Sequence, residues 1–337
     1  LGLSSLLLGL QRVFAKAPTL WQHNDQDISK TSLTVVIPAF NEASNIESCL
    51  SHVLMSERPC SRWEVVVVDD QSSDNTIKIA EQAIVTFADA DHPSAAVLQA
   101  GPRPKGERWV GKNWGCSQAM EQVNSEWVLF IDADVTLAPD AIRRALHQSI
   151  KEKADLFSLA PRLTCDCLAE WMVQPIMASL LGLGFPILEA NDPDSTVAFA
   201  AGPFMLFRRD SYNAIGGHRA LAGEVVEDLA LARLIKEGGF RLRYVLGIDA
   251  VDLQMYANFE ALWEGWSKNW FLGLDRSISK SLGAGGVVLL MFTLPWLLLP
   301  ASLTMACLSS QDQILWLSDA GLGLIAILMQ LSVRLWT

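Results

Sequence analysis

Four apolar runs, each closing on polar or acidic residues, constrain this chain more than anything else in it: LTVVIPAF (33–40), EVVVVDD (64–70), AAVLQA (95–100) and WVLFIDAD (127–134). Their β-branched and aromatic residues run on without strict alternation, the pattern of strands covered on both faces. Between them the sequence predicts helices over 42–56, 74–87 and 112–123. Strand–helix alternation at this spacing builds right-handed βαβ units and a mostly parallel sheet. Sheets of that kind bind ligands beyond the C-terminal ends of their strands.

Past residue 160 the pattern changes. LAEWMVQPIMASLLGLGF (168–185) is apolar but holds Glu170 and Gln174, which suits an interfacial or cleft helix better than a bilayer span. Strands are expected over 197–207 and 240–249, and a helix over 225–238. FEALWEGWSKNWFLGL (259–274) reads as an amphipathic helix with three Trp, the residue favoured at lipid–water boundaries. Residues 281–311 carry no charge at all, a length sufficient to cross the hydrocarbon core, and 313–333 offers a weaker return span containing Asp319. Arg276 and Lys280 before the first span and Arg334 after the second fit the positive-inside rule and put the main domain on the cytoplasmic side of the cell membrane. The opening LGLSSLLLGL is too short to span. It fits the end of a membrane helix best, with a signal-peptide core or an interfacial helix as alternatives. The expected organisation is therefore an apolar segment and linker (1–30), an α/β catalytic domain (31–255), an amphipathic interfacial helix (256–280) and a transmembrane region of one or two spans (281–337).

A net charge of −11 argues against nucleic acid as a partner. Six scattered cysteines without a C-x-x-C pair, and five scattered histidines, provide no zinc spacing.

The chemistry sits at the strand ends. Asp132-Ala133-Asp134 closes an apolar strand, and carboxylates at i and i+2 there point to one side, able to hold a divalent cation that bridges a diphosphate. The similar pairs Asp89/Asp91 and Asp192/Asp194 follow a helix and sit in a Pro-containing loop, respectively. Asp69 and Asp70 close the second strand, where carboxylates accept hydrogen bonds from a base N–H and ribose hydroxyls. Ser72, Ser73 and Asp74 behind them suit helix capping. Pro38, Phe40, Asn41 and Glu42, at the end of the first strand, are expected around the nucleoside. The loop 101–112 gathers Arg103, Lys105, Arg108 and Lys112 against one acid, and Lys112 opens a helix from which it can approach phosphates. Glu227-Asp228 begins a helix, a place for a general base that takes the acceptor's proton.

In this order, VVIPAFNE, VVVVDDQSSDNT, GKNWG, FIDADV and VVED resemble a family-2 glycosyltransferase over roughly residues 33–250. The resemblance implies the GT-A, or nucleotide-diphospho-sugar transferase, fold: α/β with a mostly parallel sheet, here followed by transmembrane helices. It implies an inverting transfer from a UDP- or GDP-sugar with Mg2+ or Mn2+. Asp132 and Asp134 would serve the metal and diphosphate, Asp69 or Asp70 the nucleoside, and Asp228 would be the base with Glu227 beside it. Processive members carry Q-x-x-R-W after the catalytic acid. Here WSKNW (266–270) keeps only its last Trp, so transfer of a single sugar is expected. AAGPFMLFRRDSYNAIGGH (200–218) and the C-terminal apolar segments are similar to the hopanoid-associated and carotenoid-glycosylating members. They imply a lipid-soluble isoprenoid acceptor, met by Gly202, Pro203, Phe204, Trp266, Lys268 and Trp270, with 168–185 and 259–274 as its entrance from the membrane. Two other readings compete. A nucleotidyltransferase requires a Gly/Arg-rich loop directly after the first strand, which 39–45 lacks. An inactive scaffold sits badly with intact Asp132, Asp134 and Asp228.

Overall fold

The computed structural model describes residues 2–22, 30–87, 93–165, 167–256, 258–274, 276–309 and 311–336; the side chains of 268, 269, 333, 335 and 336 are outside the description. The Asp89/Asp91 pair therefore lies outside the described residues. The chain divides into two compact units, residues 16–164 with 185–255, and residues 1–15 with 165–184 and 256–337.

In the first unit the strands are β1 (Ser32–Ala39), β2 (Arg62–Asp69), β3 (Ser94–Gln99), β4 (Trp127–Ile131), β5 (Val135–Leu137), β6 (Leu156–Ala160), β7 (Arg162–Leu163), β8 (Phe204–Arg208), β9 (Leu242–Leu246) and β10 (Val251–Leu253). Seven of them form one sheet in the order β3-β2-β1-β4-β8-β6-β9. All neighbours pair in parallel except β8, which is antiparallel to both β4 and β6. The short strands form a second sheet, β5-β10-β7.

Unbroken apolar strands follow from cover on both faces. Trp127, Leu129 and Ile131 of β4 join Val35 and Ile37 in one core cluster, whereas Val128 and Phe130 join Val36 in the other. Alternate side chains thus enter opposite cores, and the whole strand must be apolar. Strand order reverses at β1, so the C-terminal ends of β1 and β4 flank a switch point, where such sheets leave a crevice.

Several boundaries differ from the expectations. β4 ends at Ile131, so Asp132 to Asp134 form a turn rather than the tip of a strand. The expected strand 197–207 begins only at Phe204, because 200–203 is a turn held by side-chain bonds described below. The expectations do not include helix Ala141–Glu152 or strand β6. That helix buries Arg144, Gln148 and Ser149, and Arg144 donates to the carbonyls of Leu20 and Trp21 while pairing with Asp249. Its apolar residues Ala141, Ile142, Ala145 and Leu146 recur at helical spacing and are buried beside these polar ones.

The second unit is helical: Gly2–Lys16, Leu168–Gly184, Phe259–Gly273, Ile278–Val288, Leu294–Leu308 and Gln313–Trp336. Residues 165–184, expected within the 31–255 domain, group here. Leu3, Leu6 and Leu10, on one helix face, pack with Ile176 and Phe292. Glu170 accepts the Tyr256 N–H at 2.9 Å, and Gln174 accepts the Trp266 indole N–H at 2.7 Å, which explains these two polar residues in an apolar run.

Residues 278–308 and 313–332 are long and apolar enough to cross a membrane, and only 11% and 17% of their most apolar windows are buried. Many of their Leu and Ile side chains, among them Leu290, Leu297, Ile314, Leu322 and Leu328, face outward. A π-helical turn, Leu289–Thr293, joins the two halves of the first span just before Pro295. Proline lacks the N–H that the Met291 carbonyl would otherwise accept four residues back. Gln330, wholly buried on the second span, supplies that bond from Nε2 at 2.8 Å, and its Oε1 accepts the Trp296 indole N–H at 2.8 Å.

Candidate active site

The turn after β1 leads the construction. Asn41 adopts φ +57°, and its Oδ1 accepts the Ser73 N–H at 2.8 Å, while its own N–H donates to Ser72 Oγ at 2.9 Å. Glu42 N–H donates to Thr76 Oγ1, and Asp74 accepts from the backbone N–H groups of Ala43 and Thr76. The turns after β1 and β2 are thereby bound together. Asn41, through its N–H and Oδ1, and Asp74, through its carboxylate, hold this junction.

Asp69 and Asp70 part company at the strand end. Asp69 is buried and accepts the Ser72 N–H, bracing the turn. Asp70 pairs with Arg103 and lines a cavity of about 370 Å3, together with Pro38, Phe40, Glu42, Gly111, Lys112, Asp132 and Asp134. Phe40 stands at this cavity 57% exposed, an apolar ring placed where a flat base can stack.

The short segment Gly111–Gly115, opening helix Gly111–Met120, ties the site together. A Cβ on Gly111 would run into the Asp70 carboxylate, so only glycine lets the helix start there. Lys112 Nζ lies 2.6 Å from Asp132 and 2.6 Å from Glu227. Burial pulls its pKa down, but the two carboxylates more than offset this and hold it above the ordinary lysine value. Asn113, fully buried, donates to the carbonyls of Leu221 at 2.6 Å and Glu224 at 2.8 Å, fixing the loop that delivers Glu227 and Asp228. Trp114 donates its indole N–H to Gly101 O, anchoring the basic loop. Arg103 was legible there only as one cation among four, and nothing in the sequence pointed to Asn113 beyond its neighbours. Lys105 and Arg108 are exposed and do not line the cavity.

Burial first, then Asp132 and Glu42, push the Asp134 carboxyl up to about 7, and its Oδ1 is buried without a hydrogen-bond partner among the described residues. Oδ1 of Asp70 is in the same condition. Asp228 is likewise raised to about 7, by burial and then by Glu227. Its Oδ2 accepts the Gly202 N–H at 3.2 Å and its Oδ1 the N–H of Leu229.

No group of three His, Cys, Asp or Glu side chains among the described residues forms a ready-made metal cage. Asp132 and Asp134, both lining this cavity and the latter with an unpartnered buried oxygen, would nevertheless suit a hard dication with further oxygen ligands from a diphosphate.

On the expected acceptor side, Gly202 touches Asp228, Pro203 is half-buried, and Phe204 is wholly buried in the core, so its side chain packs rather than binds. Trp266 is held by Gln174 and Trp270 is half-buried, both in the helical unit, while the side chain of Lys268 lies outside the described residues. The Asp192/Asp194 pair forms a turn, Asp194 N–H donating to Asp192 Oδ1.

A seven-stranded, mostly parallel sheet with one reversed strand, whose ends bring paired acids to a single cavity, defines a GT-A-like α/β protein. The chain belongs to glycosyl transferase family 2, which it matches over residues 34–216. It is 27% identical over 264 residues to the 4,4'-diaponeurosporenoate glycosyltransferase of Staphylococcus aureus, covering 77% of this chain and 66% of that protein, so it spans just under two thirds of the relative's length. Among solved structures, its fold is like that of the mannosyltransferase PcManGT from Pyrobaculum calidifontis in complex with GDP-Man and Mn2+. The TM-score is 0.58 at 17% identity, over 99% of this chain and 95% of that one.

Proposed function

We propose that this protein is a membrane-attached, inverting glycosyltransferase that moves one sugar from a UDP- or GDP-sugar to a lipid-soluble isoprenoid acceptor. The observation that carries the reading is the cavity at the switch point, where Asp70, Lys112, Asp132 and Asp134 meet and Lys112 ties Asp132 to the Glu227-Asp228 pair. The likeness to a carotenoid glycosyltransferase and the two candidate spans support the acceptor class.

Asp70 and Phe40 would receive the nucleoside, and Lys112 would turn part of its charge to the diphosphate. Asp132 and Asp134 would hold Mg2+ or Mn2+, which, when bound, offsets charge on the departing diphosphate. Asp228 would accept the acceptor's proton as the new bond forms on the opposite face of the sugar; a carboxylate raised to about 7 is a stronger base than an ordinary one. Single displacement needs no protein nucleophile. Arg276 and Lys280 before the first span and Arg334 near the end of the second support a catalytic unit on the cytoplasmic side.

The test compares lipid extracts, by mass spectrometry, from cells that carry this protein, its Asp228→Asn variant, or neither. A glycosylated isoprenoid made with the intact protein and absent without it is the expected result, and Asp228→Asn should lose it where the acceptor is an alcohol. Identical lipid profiles in all three would overturn the reading.

A further inference from the structure

The base has a support that no motif contains. Ser158, on β6, is fully buried, with its Oγ 2.8 Å from the Ala201 N–H, which it accepts, and 3.0 Å from the Ala201 carbonyl, to which it donates. A single hydroxyl thus satisfies both backbone groups of one residue in the turn 200–203. The next residue, Gly202, directs its N–H at Asp228 Oδ2. A Cβ on Gly202 would stand 3.3 Å from that oxygen and 3.5 Å from the Asp228 Cβ, so the turn lies close against the carboxylate. Ser158 lies in register with Met205 of β8 and Tyr244 of β9, so its hydroxyl projects from a strand paired on both sides.

We infer that Ser158 is a positioning residue for Asp228, acting through the backbone of Ala201 and Gly202 to hold Oδ2 while the Leu229 N–H holds Oδ1. This rests on the reading of Asp228 as the base. The alternative, that Ser158 merely satisfies a buried turn, predicts a cost in stability with no effect on Asp228's proton. The Gly202 N–H favours the ionised carboxylate, so releasing it raises the pKa of Asp228 further. The other charged or titratable groups acting on Asp228 are Glu227, Lys112, Asp132 and Tyr244; none belongs to the 200–203 turn.

The experiment measures the Tm gained by Asp228→Asn as a function of pH, in the wild-type and Ser158→Ala backgrounds of the full chain in detergent. Because asparagine cannot ionise, that gain rises with pH and levels off at the pKa of the folded Asp228. The expected result is a levelling point higher by about half a unit or more in the Ser158→Ala background. Coincident curves overturn the inference. Should Ser158→Ala not fold, Ser158→Cys decides the same question, since a thiol keeps the position with much weaker hydrogen bonds and should move the levelling point in the same direction, an unmoved point overturning the inference. No acceptor or donor enters this assay, so failure of the glycosyltransferase reading and failure of the pin give separate results.

Discussion

Replacing Asp134 with asparagine should stabilise the unliganded protein while removing its response to nucleotide and metal. The carboxyl of Asp134 is raised from its ordinary value near 4 to about 7, first by burial and then by Asp132 and Glu42. Three pKa units correspond to roughly 4 kcal/mol of differential interaction, and water entering the open cavity reduces this to about 2 kcal/mol. The sign follows from where the proton is held. Below pH ~4 folded and unfolded chains are both protonated at this site. From there to pH ~7 the unfolded chain ionises while the folded one keeps its proton, so the fold loses stability as pH rises, and above 7 the loss is complete. The asparagine side chain keeps the shape without the charge. At pH 8 the variant should melt about 4–8 °C above wild type, using ~2–4 °C per kcal/mol, and the gap should close toward pH 4. Mn2+ with UDP or GDP should raise the wild-type Tm and leave the variant unmoved, because ligand binding to the folded state alone stabilises it. The assay is differential scanning fluorimetry of detergent-solubilised protein across pH, with and without nucleotide and metal. A variant that melts with or below wild type at pH 8, or whose advantage is the same at pH 4 and 8, would refute the reasoning.

Other substitutions probe the same arrangement. Lys112→Met leaves Asp132 and Glu227 facing each other without their shared cation and should cost about 2 kcal/mol, together with at least a tenfold loss of UDP or GDP affinity by calorimetry. Gly111→Ala drives a methyl into the Asp70 carboxylate, so nucleotide affinity should fall at least tenfold while the circular dichroism spectrum is retained. An alcohol acceptor needs a base and a carboxylic acid acceptor arrives already ionised. Transfer to an alcohol should therefore rise with pH through about 7, and Asp228→Asn should cost it ~100-fold or more, against little for a carboxylate, as read from initial rates. Gln330→Leu strands the Met291 carbonyl freed by Pro295 and should destabilise the helical hairpin by ~1–2 kcal/mol, measured by unfolding in micelles.

The central sheet was legible because its strands are covered on both faces and read as long apolar runs. The strand-end acids stood out for the opposite reason, as charges terminating those runs. Sequence pattern does not tell which of two adjacent acids faces the cavity, and here Asp69 turned inward to brace a turn while Asp70 lined the space. Apolar composition over 197–203 suggested strand, because nothing local reveals that a serine forty residues away will fix a turn there. Helix 141–152 carries Ala141, Ile142, Ala145 and Leu146 at helical spacing and was open to reading; what no local pattern gives is that its buried Arg144 finds partners at Leu20, Trp21 and Asp249, all remote in sequence. Long-range polar bonds of this kind decided most of what was missed.

The helical unit is assembled from three separated stretches, residues 1–15, 165–184 and 256–337. A soluble version of this protein thus cannot be cut out at a single point. Stopping the chain near residue 255 removes Tyr256 and Trp266, and Glu170 and Gln174 lose the hydrogen bonds these provide while the helix that carries them stays behind with its apolar side uncovered. A workable fragment would need residues 165–184 replaced by a short polar connector as well, so that each piece of the greasy unit leaves together with its partners.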